Sequence, residues 1–301
     1  MEWGKIDIQQ LNNINFVLPP EPVENLSLLN KNIKPDTQVF FGCARWGTKD
    51  WLGHFYPEYL KEKDFLHYYS TLFNCVELNT TYYQVPAIEQ VKHWKEQVSS
   101  NFRFCPKFPQ VITHVMRLQR CDKEVNEFVT SIAAFEETLG PVFLMPNPQM
   151  GINELPLIKR FIERLPGFLD VFIELRHSSW FEHGLNEQLY DFVKDYNIGL
   201  VITDAAGKRD NVHMHLSKPE TFIRFVGNGL HSTDYARIQQ WIKRLQLWMK
   251  EGIEKIYFFM HQNNSLNAPQ LNKYLIEEIN ASSSVHFPAI PAIRPQATLF
   301  D

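Results

Sequence analysis

Short apolar and β-branched runs recur along the chain at a spacing of roughly thirty residues, the length of one strand-plus-helix unit. They fall at 38–43 (QVFFGC), 74–79 (NCVELN), 102–107 (FRFCPK), 141–146 (PVFLMP), 170–176 (DVFIELR), 198–204 (IGLVITD), 221–226 (TFIRFV) and 255–261 (KIYFFMH). Most gaps between them show apolar residues at helical spacing, which predicts helices over 61–72, 87–98, 121–138, 154–164, 185–195, 232–250 and about 268–280. One gap resists: KRDNVHMHLSKPE, between the sixth and seventh runs, has weak periodicity. Alternating units of this kind predict an α/β protein, a single (β/α)₈ TIM-type barrel, rather than an open doubly wound sheet. A dinucleotide fold would also want a Gly-rich phosphate loop after the first strand, and FGCARWG is not GxGxxG. The expected boundaries are an N-terminal extension at 1–36, the barrel at 37–280 and a flexible Ser/Pro-rich tail at 281–301.

In a barrel, chemistry sits at the C-terminal ends of the strands. A buried parallel strand should be apolar on both faces, so polar residues near one end are exceptions that call for a reason. The clearest stretch is Val171 to Trp180, VFIELRHSSW. Period-two alternation puts Phe172, Glu174 and Arg176 on one face and Val171, Ile173 and Leu175 on the other. The same rule groups Cys75, Glu77 and Asn79, and separately Arg103, Cys105 and Lys107. Two readings stay open for these groups: structural ion pairs closing strand ends, or a site.

Composition narrows the class. With 301 residues, 44% hydrophobic and 14% aromatic, the chain can bury a large core. A net charge of −4 argues against binding nucleic acid through overall charge. Four cysteines without a CxxC pair, no signal-peptide pattern and no apolar run of membrane-spanning length read as a soluble cytoplasmic protein with reduced thiols and no membrane contact.

The segments VELNTTYYQVP, NFRFCPKFPQVITH, LGPVFLMP and IELRHSSWF, opened by FGCARWGTKDWLGHFYP, resemble the signature segments of the uncharacterised YecE-like barrel family, domain of unknown function 72. The resemblance runs in matching order over about 38–280. It implies a TIM-type barrel whose shared pocket holds Trp46, Glu77, Asn79, Tyr82, Lys107, Glu174, Arg176, His177, Trp180, Asp204 and Arg224. Two strand ends depart from that pattern. The seventh, usually Arg-x-His-Gly, has Val226 in place of the histidine, and the eighth, usually Phe-Asn-Asn, carries Met260 and His261.

Three carboxylates (Glu77, Glu174, Asp204) and three cations (Lys107, Arg176, Arg224) balance, so a closed ion-pair network worth little net stability is one outcome. The other is an enzyme performing acid/base chemistry on a small anionic substrate, phosphorylated or sugar-derived. There the cations hold charge, Glu77 and Glu174 move protons, His177 relays one and Asp204 orients a cation. Trp46, Tyr82 and Trp180 would stack on a sugar or base, with Asn79 beside them. No cofactor and no metal site are expected. His177, His261, Glu77, Glu174 and Asp204 could ligate a divalent ion, but Lys107 and Arg176 would repel it. His213 and His215 have HxH spacing, which alone is weak. Finally, Gln296, Leu299 and Phe300 in the terminal QATLF resemble the QLxLF-type peptide that docks bacterial proteins on the sliding clamp, with Ala297 where leucine is usual. That motif supports an alternative, a DNA-processing protein tethered to the clamp. A non-catalytic ligand-binding module is the third reading.

Overall fold

The computed structural model describes residues 4–29, 37–182 and 184–282. Eight strands run β1 Gln38–Cys43, β2 Cys75–Leu78, β3 Arg103–Pro106, β4 Val142–Leu144, β5 Val171–Ile173, β6 Gly199–Asp204, β7 Glu220–Val226 and β8 Lys255–His261. The α-helices are α1 Val23–Leu28, α2 Phe65–Leu72, α3 Thr80–Tyr83, α4 Ile88–Glu96, α5 Asp122–Ala133, α6 Leu155–Ile162, α7 Glu187–Asp195, α8 Ser232–Glu251 and α9 Asn267–Ser282. All the ladders are parallel, in the order β3-β2-β1-β8-β7-β6-β5-β4. The circle closes between β3 and β4 through the single bridges Phe104–Leu139 and Lys107–Phe143, with Gly140 N donating to Phe104 O at 2.7 Å. This is the expected (β/α)₈ barrel, near-closed at that seam.

Alternation along each strand sorts the core into two layers. The barrel interior is filled by Phe40, Cys75, Cys105, Phe143, Phe172, Val201, Phe222, Tyr257 and Phe259. Aromatic rings dominate it: Phe40 stacks on Tyr257 and Phe222 packs on Phe259, each at 4.7 Å between centroids. A ring needs a small neighbour at Gly199, where a Cβ would lie 2.2 Å from the Phe172 ring, whereas Gly42 lets the β2 backbone approach, since a Cβ there would lie 2.1 Å from the Cys75 carbonyl oxygen. The opposite strand faces, including Val171, Ile173, Leu175, Ile202 and Phe258, pack under the helices. Cys43 belongs to that outer layer, beside Asn272, whereas Cys75 and Cys105 are interior.

The weakly periodic 205–219 gap forms only a short 3-10 turn, Arg209–Asn211, before β7. The described part of the N-terminal extension covers the resulting face. Phe16 lies under the Arg209 and Arg237 guanidiniums, and the Leu18 amide donates to Gln240 at 2.9 Å. Glu21 accepts from Trp248 and pairs with Arg244. Asn25 bridges Met214 O and Leu216 N at 2.9 Å each. The extension thus runs along α8 as a strap in the slot a β6–β7 crossover helix would fill. Among the described residues no helix is long and apolar enough to cross a membrane. The tail from 283 onward, with Gln296, Leu299 and Phe300, lies outside the described residues.

Candidate functional site

The site begins with strand parity. β2 turns Glu77 inward one step above Cys75, β7 turns Arg224 inward above Phe222, and Glu174 follows β5 on the Phe172 side. All three are fully buried. The Arg224 guanidinium joins the two carboxylates across the barrel. Its Nε and Nη2 donate to Glu77 at 2.8 and 3.0 Å, and its Nη1 donates to Glu174 at 2.6 Å. Arg176 Nε donates to the other Glu174 oxygen at 2.9 Å. Asn79 Nδ2 donates to Glu77 Oε1 at 2.9 Å, and His261 Nε2 lies 2.8 Å from Glu77 Oε2.

Those contacts set the protonation states. Burial raises the Glu77 carboxyl, but Arg224 and His261 outweigh it and hold the group well below the usual carboxylate range. Burial likewise opposes ionisation of Glu174, yet Arg176, Arg224 and Lys107 pull it down to about 2. Both are therefore carboxylates at neutral pH. The same two acids keep Arg224 protonated despite its burial. His261 is lowered, chiefly by burial, so its imidazole is neutral and donates its Nε2 proton to Glu77, leaving Nδ1 an acceptor.

Lys107 differs from the other cations. Its backbone is fixed by Thr81, whose hydroxyl donates to Lys107 O at 2.8 Å, and by the bridge to Phe143. Its ammonium lies 4.2 Å from the Tyr82 ring centroid and 5.4 Å from that of Phe143. Arg224 and Arg176 already occupy both Glu174 oxygens, and Arg224, Asn79 and His261 occupy those of Glu77. Burial, with the Arg224 charge second, lowers the Lys107 amine to about 7.

Above this network opens a cavity of about 350 Å³. Arg45, Lys107, Arg176, His261, Asn79 and Tyr82 are on its wall, and no carboxylate among the described residues lines it. A wider cleft of about 860 Å³ adjoins it through Arg45, Asn79 and Tyr83 and carries Trp46 and Trp94, which meet edge-to-face at 5.4 Å.

Of the residues the sequence nominates, Glu77, Asn79, Tyr82, Lys107, Glu174, Arg176 and Arg224 come together here, with Trp46 in the adjoining cleft. Three do not. Asp204 has the wrong parity: Val201 faces inward, so Ile202 and Asp204 face outward. There Asp204 pairs with Arg209 and Arg237 and accepts from Trp241 Nε1 at 2.8 Å. His177 caps the Ser178–Trp180 turn, its Nδ1 accepting from the Ser179 amide at 3.2 Å. Trp180 is buried in the outer layer and donates to Met150 O at 2.9 Å. Among the described residues no three His, Cys, Asp or Glu side chains group as metal ligands. His213 and His215 hold the loop instead: the His215 amide donates to His213 Nδ1 at 3.1 Å, and His213 also bonds Val201 O and stacks on Phe181.

The family described as "Protein of unknown function DUF72" matches residues 40–295. The chain belongs to that family. The UPF0759 protein YecE of Escherichia coli K12 is 30% identical over 281 residues, covering 87% of this chain and all of its own length. The UPF0759 protein YunF of Bacillus subtilis 168 is 20% identical over 278 residues, covering 82% of this chain and 96% of its own. In fold, the chain is similar to DUF72 family proteins from Enterococcus faecalis V583 (TM-score 0.64, 19% identity, 81% of this chain and 98% of that one) and Thermotoga maritima MSB8 (TM-score 0.64, 22% identity, 79% and 99%).

The two departures at β7 and β8 are neighbours in the structure: Val226 and His261 are register partners on adjacent strands, and of the two it is His261 that reaches Glu77. Parity along KIYFFMH would have found it, since Tyr257 and Phe259 already point inward. His114, edge-on to Tyr82 at 5.5 Å in a turn after β3, carried no such signal.

Proposed function

We propose that this DUF72 protein is an enzyme that binds a small anionic substrate in the 350 Å³ cavity and performs proton-transfer chemistry on it. One observation carries the reading: Arg45, Lys107 and Arg176 line the cavity and no described carboxylate does. Glu77 and Glu174 compensate Arg224 and Arg176 below it, so Lys107 is an excess positive charge that an anion would complete. Each charge-assisted hydrogen bond to such an anion contributes roughly 1.5–3 kcal/mol. The proton-moving role expected of Glu77 and Glu174 passes to Lys107 and His261, because these are the groups whose ordinary values have moved toward or below neutrality. Glu77 then acts by fixing the His261 tautomer. Titration calorimetry with inorganic phosphate at low ionic strength tests the reading. Binding should weaken roughly tenfold or more in Arg176→Ala, and binding of sulfate, whose charge is constant over the range, should fall as pH rises through 7, where Lys107 loses its charge. Binding that ignores both the substitution and the pH would overturn it.

A further inference from the structure

Four features of Lys107 coincide. Its main chain is held from both flanks, by Thr81 on the β2 side and by Phe143 across the barrel seam. The residue is only 5% exposed, and its ammonium sits over the rings of Tyr82 and Phe143. Lys107 lines the cavity, as does Tyr82, over whose ring its amine sits. No acceptor atom among the described side chains takes a hydrogen bond from it, because the nearby carboxylate oxygens bond to Arg224, Arg176, Asn79 and His261. A lysine placed only to neutralise an acid would sit on that acid. This one is dry, flanked by cations and aimed at ligand space, the setting that turns an amine into a nucleophile.

We propose that Lys107 condenses with the carbonyl carbon of a small oxo acid or oxo phosphate, forming a Schiff base at the floor of the cavity. The proposal deepens the anionic-substrate reading and rests on it for the acidic group, which Arg176 and Arg45 would hold. The lone pair on Nζ forms the C–N bond while the carbonyl π pair moves to oxygen. Proton transfer from nitrogen to that oxygen gives a carbinolamine. Loss of the oxygen as water, after a second proton taken from solvent, leaves the iminium. The iminium accepts the electron pair of an adjacent C–H bond as the neutral His261 imidazole removes the proton, giving an enamine. The imidazolium returns that proton to carbon, and water then adds to the regenerated iminium and releases the carbonyl, the free amine and a proton to solvent. No oxidant or reductant is required. With the amine at about 7 instead of 10.5, its neutral fraction at pH 7 is roughly a thousandfold larger than an ordinary lysine's.

The test is reductive trapping on the full chain with sodium borohydride, using pyruvate as the anionic carbonyl probe and acetaldehyde as the neutral one, followed by peptide mapping. The expected result is a reduced adduct at Lys107 in roughly tenfold or greater excess over any other lysine, with pyruvate trapped faster than acetaldehyde. Lys107→Met should lose that adduct and keep the others. If acetaldehyde traps Lys107 as well as pyruvate does, and phosphate does not bind, the Schiff-base step stands and the anionic reading falls. If Lys107 is unmodified by either probe, or modified no faster than surface lysines, the nucleophile assignment is overturned, whatever phosphate binding shows.

Discussion

Lys107 and Glu174 sit on the same charged network and have opposite linkage to stability. Burial lowers the Lys107 amine to about 7 from an ordinary 10.5, so between those values the unfolded chain binds more protons than the folded one. Stability should therefore rise with pH over that window. Lys107→Met removes the buried charge and keeps the stem, so the variant should be more stable than the parent at pH 7 and lose that advantage toward pH 10, as urea melts at several pH values would show. A constant difference across the window would mean the amine is not perturbed. Glu174 runs the other way. Its folded value near 2 lies below the ordinary 4.5, so it stabilises above that value and the contribution is lost as pH falls toward 2. Glu174→Gln should cost about 3–5 kcal/mol at neutral pH by leaving Arg176 and Arg224 undercompensated. Acid titration of both proteins should narrow that gap between pH 4.5 and 2.

At the scale of single elements, what was legible in the sequence was whatever obeys period-two alternation. Glu77, Lys107 and Glu174 were found because each breaks an apolar inward face, Arg224 came from the family resemblance, and the structure puts all four on the interior. Asp204 was taken with them because it ends a strand, yet its parity places it outward, where it ties β6 to α8 through Arg237 and Trp241. Asp204→Ala should accordingly cost about 3–5 kcal/mol of stability, as expected for one half of a buried pair. The folded fraction should bind phosphate as the parent does; weakened binding in that fraction would place Asp204 back in the site. His177 and Trp180 carry the same lesson: the turn after β5 spends both on its own hydrogen bonds. The strap was the hidden element. Nothing in the periodicity of 1–36 says that Phe16, Leu18 and Asn25 complete a barrel face, because their partners are far away in the chain: Phe16 and Leu18 meet α8, Leu18 at a separation of 222 positions, and Asn25 meets Met214 at 189.

For the molecule as a whole, repeated strand–helix units and the family resemblance both led to a barrel with its pocket at the strand ends, and family membership and topology agree with the fold. The chemistry was less legible, since charge balance depends on which oxygen each guanidinium occupies. Only the assembled barrel pairs Arg224 with two carboxylates and leaves Lys107 facing the cavity. On the proposed function that arrangement captures an anion at the strand ends, and the place where an anion binds is the decisive measurement. Crystals grown without phosphate or sulfate, then soaked in selenate, would report the bound anion through the anomalous signal of selenium. The expected result is a peak inside the cavity within hydrogen-bonding distance of Lys107 and Arg176, lost in crystals of Arg176→Ala. Selenium peaks confined to the outer surface, with the cavity empty in the parent protein, would contradict it.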